Sequence, residues 1–507
     1  MKKRLFSLLL ALLLLLPSCT AADPLLEEEV DYFAETPVEK EEQPTLSVSA
    51  FSLPVCEGAT LDPLLCSDGV QQDLTALLYE GLFALSPDFR VENRLCSSYT
   101  YDAETHTYLF TLRKGVLFGD GSVLTARDVV DSFRRAAASA RYKSRFRYVS
   151  AYRAVGTDTV RLTLNLNNAA FPALLDIPIV KSGTEKQDVP LGTGRYLYIT
   201  EEDGDHLLAN ANYWGGTVSP QEIPLVTVKD GDVAAYRFSG AEVQLLTAEL
   251  AGASPVSTAG SVQITDAPTP TLHYLGFRMG GLFGDLALRQ ALQLGIDRGS
   301  LVASYLSGHA IPAFSTVSPI SAYAVASTES EYDSDAFNAA MSRAGYPRGG
   351  EASATVRLLV PEENDSKVML AHFFAELLRP YGITVQIRKL PREKYLEALR
   401  NGQFDLYYAS VRMTADFDPR PLLASGASLN YGGYANAELD ALMLDYLAAP
   451  EKNAAAFCEK FAEEIPILPL FFSSRSVLTQ KQVLQTLTPT ATDPFYGMEN
   501  WHIQLAG

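Results

Sequence analysis

The chain has 507 residues, of which 47% are hydrophobic and 20% are charged. This composition provides a large core, and the length predicts two or three domains. The formal net charge of -19 at pH 7 argues against a nucleic-acid partner, because such proteins carry basic stripes that neutralise phosphates. It also argues mildly against anionic ligands, whereas a cationic ligand group would be tolerated.

The amino-terminal segment has the features of an export signal. A basic patch at residues 2–4 precedes an apolar run from Phe6 to Leu16, shorter than the roughly 20 residues that span a bilayer. Leu16-Pro17-Ser18-Cys19 resembles a bacterial lipobox, in which the cysteine is lipidated. We therefore predict a signal peptide at residues 1–18 and an extracytoplasmic protein anchored to the cell membrane by a lipid on Cys19. The alternative is an ordinary signal peptide in which Cys19 has no role.

Residues 19–44 differ in composition from the rest of the chain. They are rich in Asp and Glu, hold a single lysine, and contain Pro24, Pro37 and Pro44. Such a segment cannot bury enough apolar surface to fold, and self-repulsion extends it. We predict an acidic tether that follows the lipid; a merely disordered terminus is the alternative.

Periodicity and turn signals predict the elements of the body that comes after the tether. Strands are predicted at residues 46–51, 108–113, 159–166, 355–360, 383–390 and 404–409. Helices are predicted at residues 72–82, 125–139, 285–297, 366–378 and 394–401. Thr125 and Asp128 stand in the positions of a capping box at the start of the second helix. The strand-helix order over 355–409 predicts an α/β lobe with a mainly parallel sheet.

Cysteine usage leaves the disulfide state open. Besides Cys19, the chain contains Cys56, Cys66, Cys96 and Cys458. Export permits disulfides, and four cysteines allow three pairings, but free buried thiols fit the sequence equally well. No cysteine or histidine spacing indicates zinc, and we predict no metal and no cofactor.

Several short motifs succeed one another along the body. The most specific is Thr107 to Asp128, TYLFTLRKGVLFGDGSVLTARD. The others are Leu78-Tyr79-Glu80-Gly81-Leu82, Gly192-Thr193-Gly194-Arg195-Tyr196, Asn212-Tyr213-Trp214-Gly215-Gly216, Phe283 to Arg298, Ala344-Gly345-Tyr346 and Gly402-Gln403-Phe404-Asp405-Leu406. In this order they resemble the extracellular solute-binding proteins, family 5, which serve peptide and nickel ABC importers. The resemblance spans about residues 45–507.

The resemblance implies a periplasmic-binding-protein-like type II fold of the α/β class. In this fold, two α/β lobes flank a hinged cleft, and an extra domain is inserted in lobe I. We predict lobe I at residues 45–84, 189–267 and 468–507, the extra domain at 85–188, and lobe II at 268–467. The resemblance further implies a monomer that captures a peptide-like ligand in the cleft and delivers it to ABC permease subunits in the membrane.

One acidic residue is the main candidate for ligand binding. Ala415-Asp416-Phe417-Asp418-Pro419 matches the segment in which the family pairs an Asp with the peptide ammonium, and Asp416 is the matching position. Asp418 before Pro419 is predicted to be a helix N-cap with Pro at the first helical position, which leaves Asp416 free. The alternative is a solvated loop acid.

Other candidate contacts have plain structural alternatives. Ser67-Asp68-Gly69 aligns with a ligand-facing loop of lobe I, but Asp-Gly is also an ordinary turn. The resemblance also places near the ligand a further set, for which core packing or solvation is the alternative: Tyr142, Tyr274, Leu275, Arg400, Arg412 and Met413.

Some positions depart from the family pattern. Arg195 replaces a Pro, Arg278 replaces an Asn, and Met413-Thr414 replaces an aromatic residue. These departures concern the ligand's identity more than the fold. Among the ligands that this family carries, a nickel ion or nickel chelate is the second candidate.

Enzyme functions find little support in the sequence. The chain has no G-x-S-x-G elbow, H-E-x-x-H pair or Walker A motif, and its six histidines are scattered without ligand spacing. Asp416 and Asp418 are a pair of carboxylates of the kind that a hydrolase uses, which is the weakest of the alternatives. A peptide-sensing lipoprotein that is not coupled to import is a further alternative.

Overall fold

The computed structural model describes residues 50–202, 204–250, 258, 261–325, 332–351 and 353–505. The predicted signal peptide, the lipid site at Cys19 and the acidic tether lie outside the described residues. The chain divides into Met1–Leu46 and Ser47–Gly507, and every described residue belongs to the second unit. No helix in these described ranges is both long and apolar enough to cross a membrane.

The strands are numbered in chain order. They are β1 (Leu53–Cys56), β2 (Phe83–Leu85), β3 (Val91–Asn93), β4 (Cys96–Asp102), β5 (Thr107–Leu112), β6 (Val149–Val155), β7 (Thr159–Leu164), β8 (Tyr196–Glu201), β9 (Gly204–Ala209), β10 (Glu222–Val228), β11 (Leu245–Ala248), β12 (Val262–Phe277), β13 (Ala310–Pro312), β14 (Ala354–Pro361), β15 (Ile383–Leu390), β16 (Leu406–Arg412), β17 (Ile467–Gln480), β18 (Leu484–Gln485) and β19 (His502–Ile503).

The helices are numbered in the same way. They are α1 (Gly69–Leu78), α2 (Ala126–Ala138), α3 (Gly231–Ser239), α4 (Leu286–Leu294), α5 (Arg298–Leu306), α6 (Ser334–Arg343), α7 (Asp365–Leu378), α8 (Arg392–Arg400), α9 (Arg420–Leu423), α10 (Ala437–Ala448) and α11 (Pro450–Glu464).

Most of the predicted elements are confirmed, with shifts at their ends. The helix predicted at 125–139 is α2, and the Asp128 carboxylate accepts the Thr125 backbone N–H at 2.9 Å. Residues 46–49 of the strand predicted at 46–51 lie outside the described residues; Ala50 and Phe51 are not in a strand, and β1 begins at Leu53. The helix predicted at 285–297 is α4, which ends at Leu294; Asp297 then caps the next helix, α5, by accepting the Ser300 N–H at 2.9 Å.

A seven-stranded sheet, here called the central sheet, has the order β11-β17-β12-β16-β14-β15, with β13 paired to β17. The unit β14-α7-β15-α8-β16 is the predicted α/β segment, and β14 is parallel to β15 and β16. The prediction of a mainly parallel sheet is wrong for the other four strands of the central sheet. These strands, β11, β12, β13 and β17, are paired antiparallel to their neighbours. Those strands come from distant chain segments and need no crossover helix.

Two long strands, β12 and β17, are paired along most of their length and connect the two parts of the central sheet. The first part of β12 pairs with the end of β17 beside β11, and its last part pairs with the start of β17 beside β16. The register is interrupted between Pro268 and Leu272, where Pro268 and Pro270 lack the N–H that a ladder needs. The predicted lobe boundary at 267/268 lies next to this interruption, and the domain limits themselves stay predictions.

Two smaller sheets complete the scaffold. The amino-terminal sheet has the order β1-β10-β9-β8, and α1 packs against it. The inserted sheet has the order β4-β5-β7-β6, is antiparallel throughout, and packs against α2. Its strands lie within residues 85–188, the range predicted as an extra domain.

The four described cysteines are free and buried. Burial raises the pKa of the Cys56 thiol to about 12 and that of Cys458 to about 11. They pack as small apolar groups, and the question of pairing that the sequence left open is resolved in favour of thiols.

Candidate functional site

A cavity of about 440 Å³ lies beside the end of β16 in the central sheet. Its walls come from α1 and the segment after it, from residues 141–145 after α2, from residues 412–415 at the end of β16, and from residues 490–496. Pro270, at the register interruption of β12, also lines it. The cavity is therefore a cleft whose two sides belong to different parts of the fold.

A second cavity of about 430 Å³ adjoins the first. The residues that line both are Gln72, Arg141, Arg412, Ala491 and Thr492. Each volume falls within the range of roughly 300–1,000 Å³ that is common for small-molecule sites. Together they form an elongated space that accommodates an extended ligand.

The start of α1 faces the second cavity. Asp68 caps the helix by accepting the Gln71 N–H at 3.0 Å, and Asp68 and Gly69 line this cavity. Ser67 is exposed and lines neither cavity. Of the predicted loop contacts, two are thus in reach of a ligand and one is not.

The segment after α2 brings an aromatic ring and two arginines to the first cavity. Tyr142 lines it and lies between Arg141 and Arg145, whose guanidinium carbons are 5.2 Å and 5.0 Å from the ring centre. Arg145 pairs with Asp176 and donates to the Leu174 carbonyl at 3.0 Å. Burial raises the pKa of the Tyr142 hydroxyl, so it remains a neutral donor.

The end of β16 supplies the opposite wall. Met413 lines the first cavity and is held by its backbone N–H, which donates to the Pro270 carbonyl at 2.8 Å. Arg412 lines both cavities. These two predicted contacts therefore face the cleft.

Three motifs of the sequence converge on one buried carboxyl group in the cavity wall. Glu80 accepts hydrogen bonds from the Trp214 indole at 2.8 Å, the Thr193 hydroxyl at 3.1 Å and the Tyr213 hydroxyl at 3.1 Å. Burial raises the pKa of Glu80, while these three donors oppose the shift. Sequence reasoning found the motifs but did not single out Glu80; a carboxylate inside an otherwise apolar motif was the available signal.

Arg195, a departure from the family pattern, also has a place in this wall. Its guanidinium donates to the Phe495 carbonyl at 3.0 Å and lies 3.9 Å from an Asp493 oxygen. Burial raises the pKa of Asp493, and Arg195 opposes that rise. Sequence reasoning missed this pair, because its members are far apart in the chain.

Asp416, the predicted partner of a ligand ammonium, is 1% exposed and does not line either cavity. Its carboxylate accepts the Asn168 side-chain amide at 2.8 Å and the Asp418 backbone N–H at 3.4 Å. Burial and then the Asp418 charge raise the pKa of Asp416. The next residue, Phe417, has a φ of 52°, a left-handed conformation that bulky residues rarely adopt.

The predicted cap at Asp418 is shifted by one residue. The N-cap of α9 is Pro419, and the helix begins at Arg420. Asp418 nevertheless accepts the Arg420 backbone N–H at 3.0 Å and pairs with its guanidinium at 2.7 Å. Asp418 therefore accepts a backbone N–H at the start of the helix, as predicted, but it stands one residue before the N-cap.

Three other predicted contacts lie away from the cleft. Tyr274 and Leu275 are buried in the cores on the two faces of the central sheet, and neither lines a cavity. Arg400 is exposed at the end of α8 and also lines neither. Core packing and solvation, the plain alternatives, describe these positions.

Residues 85–188 also contact the part of the chain that follows β16. Besides the Asn168–Asp416 bond, the Ala169 N–H donates to the Leu447 carbonyl at 2.9 Å. Phe89 packs edge-on against Phe417 at 5.2 Å.

The charges that line the first cavity are unequal. Its arginines are Arg94, Arg141, Arg145, Arg195 and Arg412. Its carboxyl groups are Glu80, Asp176 and Asp493. The first cavity is therefore more basic than the molecule as a whole. The second cavity has the opposite balance, with four carboxyl groups (Asp68, Asp73, Asp232 and Glu249) and three arginines (Arg141, Arg412 and Arg475). Within the described residues, no group of three or more Cys, His, Asp or Glu side chains is placed to hold a metal ion.

Known proteins resemble this chain in sequence. The family "Bacterial extracellular solute-binding proteins, family 5 Middle" matches residues 90–432. The glutathione-binding protein GsiB of Escherichia coli K12 is 25% identical over 445 residues, which cover 81% of this chain and 86% of GsiB.

Solved structures share the fold at low identity. The oligopeptide-binding protein AppA of Bacillus subtilis, in complex with a nonapeptide, has a TM-score of 0.61 at 20% identity, covering 90% of this chain and 100% of AppA. NikZ of Campylobacter jejuni, in complex with Ni(L-His), has a TM-score of 0.63 at 17% identity, covering 90% and 99%. These neighbours are type II periplasmic binding proteins, which confirms the predicted fold class of two α/β lobes.

Proposed function

Since the chain belongs to family 5 of the bacterial extracellular solute-binding proteins, we propose that it captures a peptide-like solute in its interlobe cleft. The solute is then delivered to the permease of an ABC importer. The protein works as a monomer outside the cytoplasm, and neither step breaks a covalent bond of the solute.

The observation that carries this proposal is the position of the two adjoining cavities. Residues 141–145 on one side and 412–415 on the other line the same space. A ligand that touches both sides favours the closed state by its differential affinity, which is the basis of hinge closure. Closure gives a permease a way to distinguish loaded from empty protein.

A peptide-like ligand suits the cleft better than a directly coordinated metal. GsiB is named for glutathione and the AppA complex contains a nonapeptide, so relatives bind peptides of different length. In the described part of the chain, neither cavity is lined by a histidine or a cysteine. A nickel chelate, as in the NikZ complex, remains the second candidate.

The lipid on Cys19 and the acidic tether complete the proposal. More than one acyl chain is needed for stable anchoring, and a stretched acidic spacer keeps the folded body away from the membrane surface. A peptide-sensing role without import is the alternative, and loss of peptide uptake on deletion of the gene separates the two.

The direct test is equilibrium dialysis of the full-length protein against a degenerate tripeptide mixture and, separately, against Ni(L-His). We expect retention of peptides, identified by mass spectrometry. Retention of the nickel chelate alone would replace peptides by chelates as the cargo, and retention of neither would contradict the proposal.

The ammonium role of Asp416 stays a prediction. It requires Asn168 to release the carboxylate, since the two are hydrogen-bonded at 2.8 Å. Loss of peptide retention in the Asp416→Asn variant supports this role, and unchanged retention removes it.

A further inference from the structure

We propose that residues 85–188 and the segment after β16 form a latch that opens and closes in the protein without a ligand. The latch consists of Phe89, Asn168 and Ala169 on one side and Asp416, Phe417 and Leu447 on the other. This inference goes beyond the proposed function, because it concerns the ligand-free protein and does not depend on the identity of the cargo.

The centre of the latch is a buried hydrogen bond between two side chains. Asn168 is 2% exposed and Asp416 is 1% exposed, and the Asn168 amide donates to the Asp416 carboxyl group at 2.8 Å. The side-chain oxygen of Asn168 accepts the Ala170 N–H at 3.0 Å, and its backbone carbonyl accepts the Tyr108 hydroxyl at 2.7 Å. Residues 85–188 therefore hold Asn168 in place, and its amide is left to bind Asp416.

The acceptor of this bond is held in place by its own part of the chain. The Asp416 carbonyl accepts the Tyr446 hydroxyl of α10 at 3.1 Å, and its carboxyl group accepts the Asp418 N–H at 3.4 Å. A buried carboxyl group is costly unless hydrogen-bond donors reach it, and the Asn168 amide is a donor from another part of the chain. The polar groups of the latch thus find their partners in the protein, and closing the latch requires no atom of a ligand.

A backbone contact and a ring contact complete the latch. The Ala169 N–H donates to the Leu447 carbonyl at 2.9 Å, and Phe89 packs edge-on against Phe417 at 5.2 Å. Phe89 has a φ of 60° and Phe417 a φ of 52°, and aromatic residues rarely adopt this left-handed conformation. Backbone strain persists only where the surroundings enforce it, and it clusters at ligand clamps and switch regions. Two strained residues that meet across the contact therefore indicate that the backbone on both sides is shaped to make it.

The latch borders the first cavity. Phe89 lines this cavity, and so does Ala415, the residue before Asp416. Closing the latch therefore fixes two cavity-lining segments to each other, and opening it lets them separate. The inserted sheet keeps its strand ladders in both states. Because the latch is made of single contacts, it opens at a lower free energy than the sheet unfolds.

The latch changes what a ligand has to contribute to closure. Because the protein's own contacts favour the closed arrangement, a ligand needs less differential affinity to bring the closed state to a given population. A bound ligand also leaves more slowly, since its exit waits for the latch to open. Breaking the latch at Asn168 should therefore speed the release of a ligand, although Asn168 lines neither cavity.

Hydrogen exchange of the full-length, ligand-free protein, resolved to single amides by mass spectrometry, tests the latch. The reporter is the Ala169 N–H, because its acceptor, the Leu447 carbonyl, lies across the latch. The reference is the Leu164 N–H, which donates to the His106 carbonyl at 2.9 Å within residues 85–188. We expect the Ala169 amide to be protected, with a protection factor at least about tenfold lower than that of Leu164, since the latch opens without unfolding the inserted sheet. Exchange of Ala169 at the rate of an unstructured peptide, or protection equal to that of Leu164, overturns the inference.

The Asn168→Asp variant tests the central bond. It keeps the side-chain oxygen that accepts the Ala170 N–H but places a second carboxyl group against Asp416. We expect the protection factor of the Ala169 amide to fall at least about tenfold, the effect of losing one buried hydrogen bond. The protection factor of Leu164 should stay unchanged, and an equal fall at both amides would mean that the inserted sheet itself is destabilised.

A second variant and a control complete the set. Phe89→Leu removes the ring contact of the latch without changing the strain of the left-handed backbone, and it should also lower the protection of Ala169. Asn167→Asp is the matched control, because this neighbouring side chain bonds to a hydroxyl within residues 85–188. Unchanged protection of Ala169 in both Asn168→Asp and Phe89→Leu contradicts the latch.

Release of bound tripeptides gives a second readout, which rests on the proposed function. The full-length protein is loaded with the degenerate tripeptide mixture, and the loss of bound peptide is followed by rapid filtration. We expect Asn168→Asp to release peptide at least about tenfold faster than the natural protein. Equal rates contradict a role of the latch in retention. Failure of the natural protein to retain any tripeptide defeats peptide capture, whereas hydrogen exchange still decides the latch.

Discussion

At the scale of single residues, the molecule keeps several carboxyl groups in places that disfavour their charge. The pKa values of Asp73, Glu80, Asp416 and Asp493 are raised, in each case chiefly by burial. Each is stabilised by hydrogen bonds or an arginine, so breaking a partner costs more than the pair contributes. Asp416 differs from the others in having a second carboxylate, Asp418, as a neighbour.

We expect the free energy of unfolding of the Asp416→Asn variant to depend less on pH than that of the natural protein. Because the folded-state pKa of Asp416 is raised, its stabilising contribution is fully present below the unfolded pKa of about 3.9 and is lost as pH rises through the folded pKa. Asn can still accept the Asn168 amide without carrying the charge.

Urea unfolding at pH 4 and at pH 7.5 measures this effect. The free energy of unfolding of the variant, relative to the natural protein, should rise between the two pH values. A difference that stays constant with pH would mean that Asp416 does not hold a proton in the folded state.

At the scale of elements, the sequence motifs form the contacts between helices, strands and loops. The loop before β8 provides a hydrogen-bond donor for a backbone carbonyl at the end of α1: the Gly194 N–H donates to the Leu78 carbonyl oxygen at 3.0 Å. The approach is so close that a Cβ on Gly194 would lie 2.3 Å from the carbonyl carbon of Leu78. This glycine is required by contact with neighbouring backbone, since its own φ is ordinary.

We therefore expect Gly194→Ala to lower the free energy of unfolding by about 1–3 kcal/mol, the usual cost of overpacking against atoms that cannot move away. Gly280→Ala is the matched control, because a Cβ there meets no atom within 4 Å. Urea denaturation of both variants checks the prediction. A loss in the control as large as that in Gly194→Ala would assign the effect to something other than the close approach.

At the scale of the whole molecule, the cleft lies between elements that are far apart in the chain. The strands β12 and β17 carry the connection, with interrupted register at Pro268–Leu272, and the cavities lie beside this interruption. A ligand in the cleft therefore contacts elements on both sides of this interruption.

Hydrogen exchange provides the measurement at this scale. On saturation with the degenerate tripeptide mixture, we expect backbone amides near residues 141–145 and near 412–415 to exchange more slowly together, because one ligand bridges both walls. Helix α10 lines neither cavity and serves as the internal control. Protection confined to one wall would contradict closure.

Much of the architecture could be predicted from the sequence because it depends on short-range patterns. The capping box at Thr125, the β14-α7-β15-α8-β16 unit and the ordered motifs depend on residues within a few positions of one another. Ala50 and Phe51, which were predicted to end a strand, are not in one, because alternation alone does not locate a partner strand.

The sequence by itself determined the fold class and the family, since both are encoded in local periodicity and in motifs read in order. Tertiary structure decided the chemistry of the cleft: that Arg195 meets Asp493, that Glu80 receives Thr193 and Trp214, that Asp416 is covered by Asn168, and that Arg141 and Arg412 have no acidic partners among the described residues. These facts depend on distances between residues that are far apart in the chain. Because the energy of a charge is set by its partners and its burial, no local pattern could have assigned them.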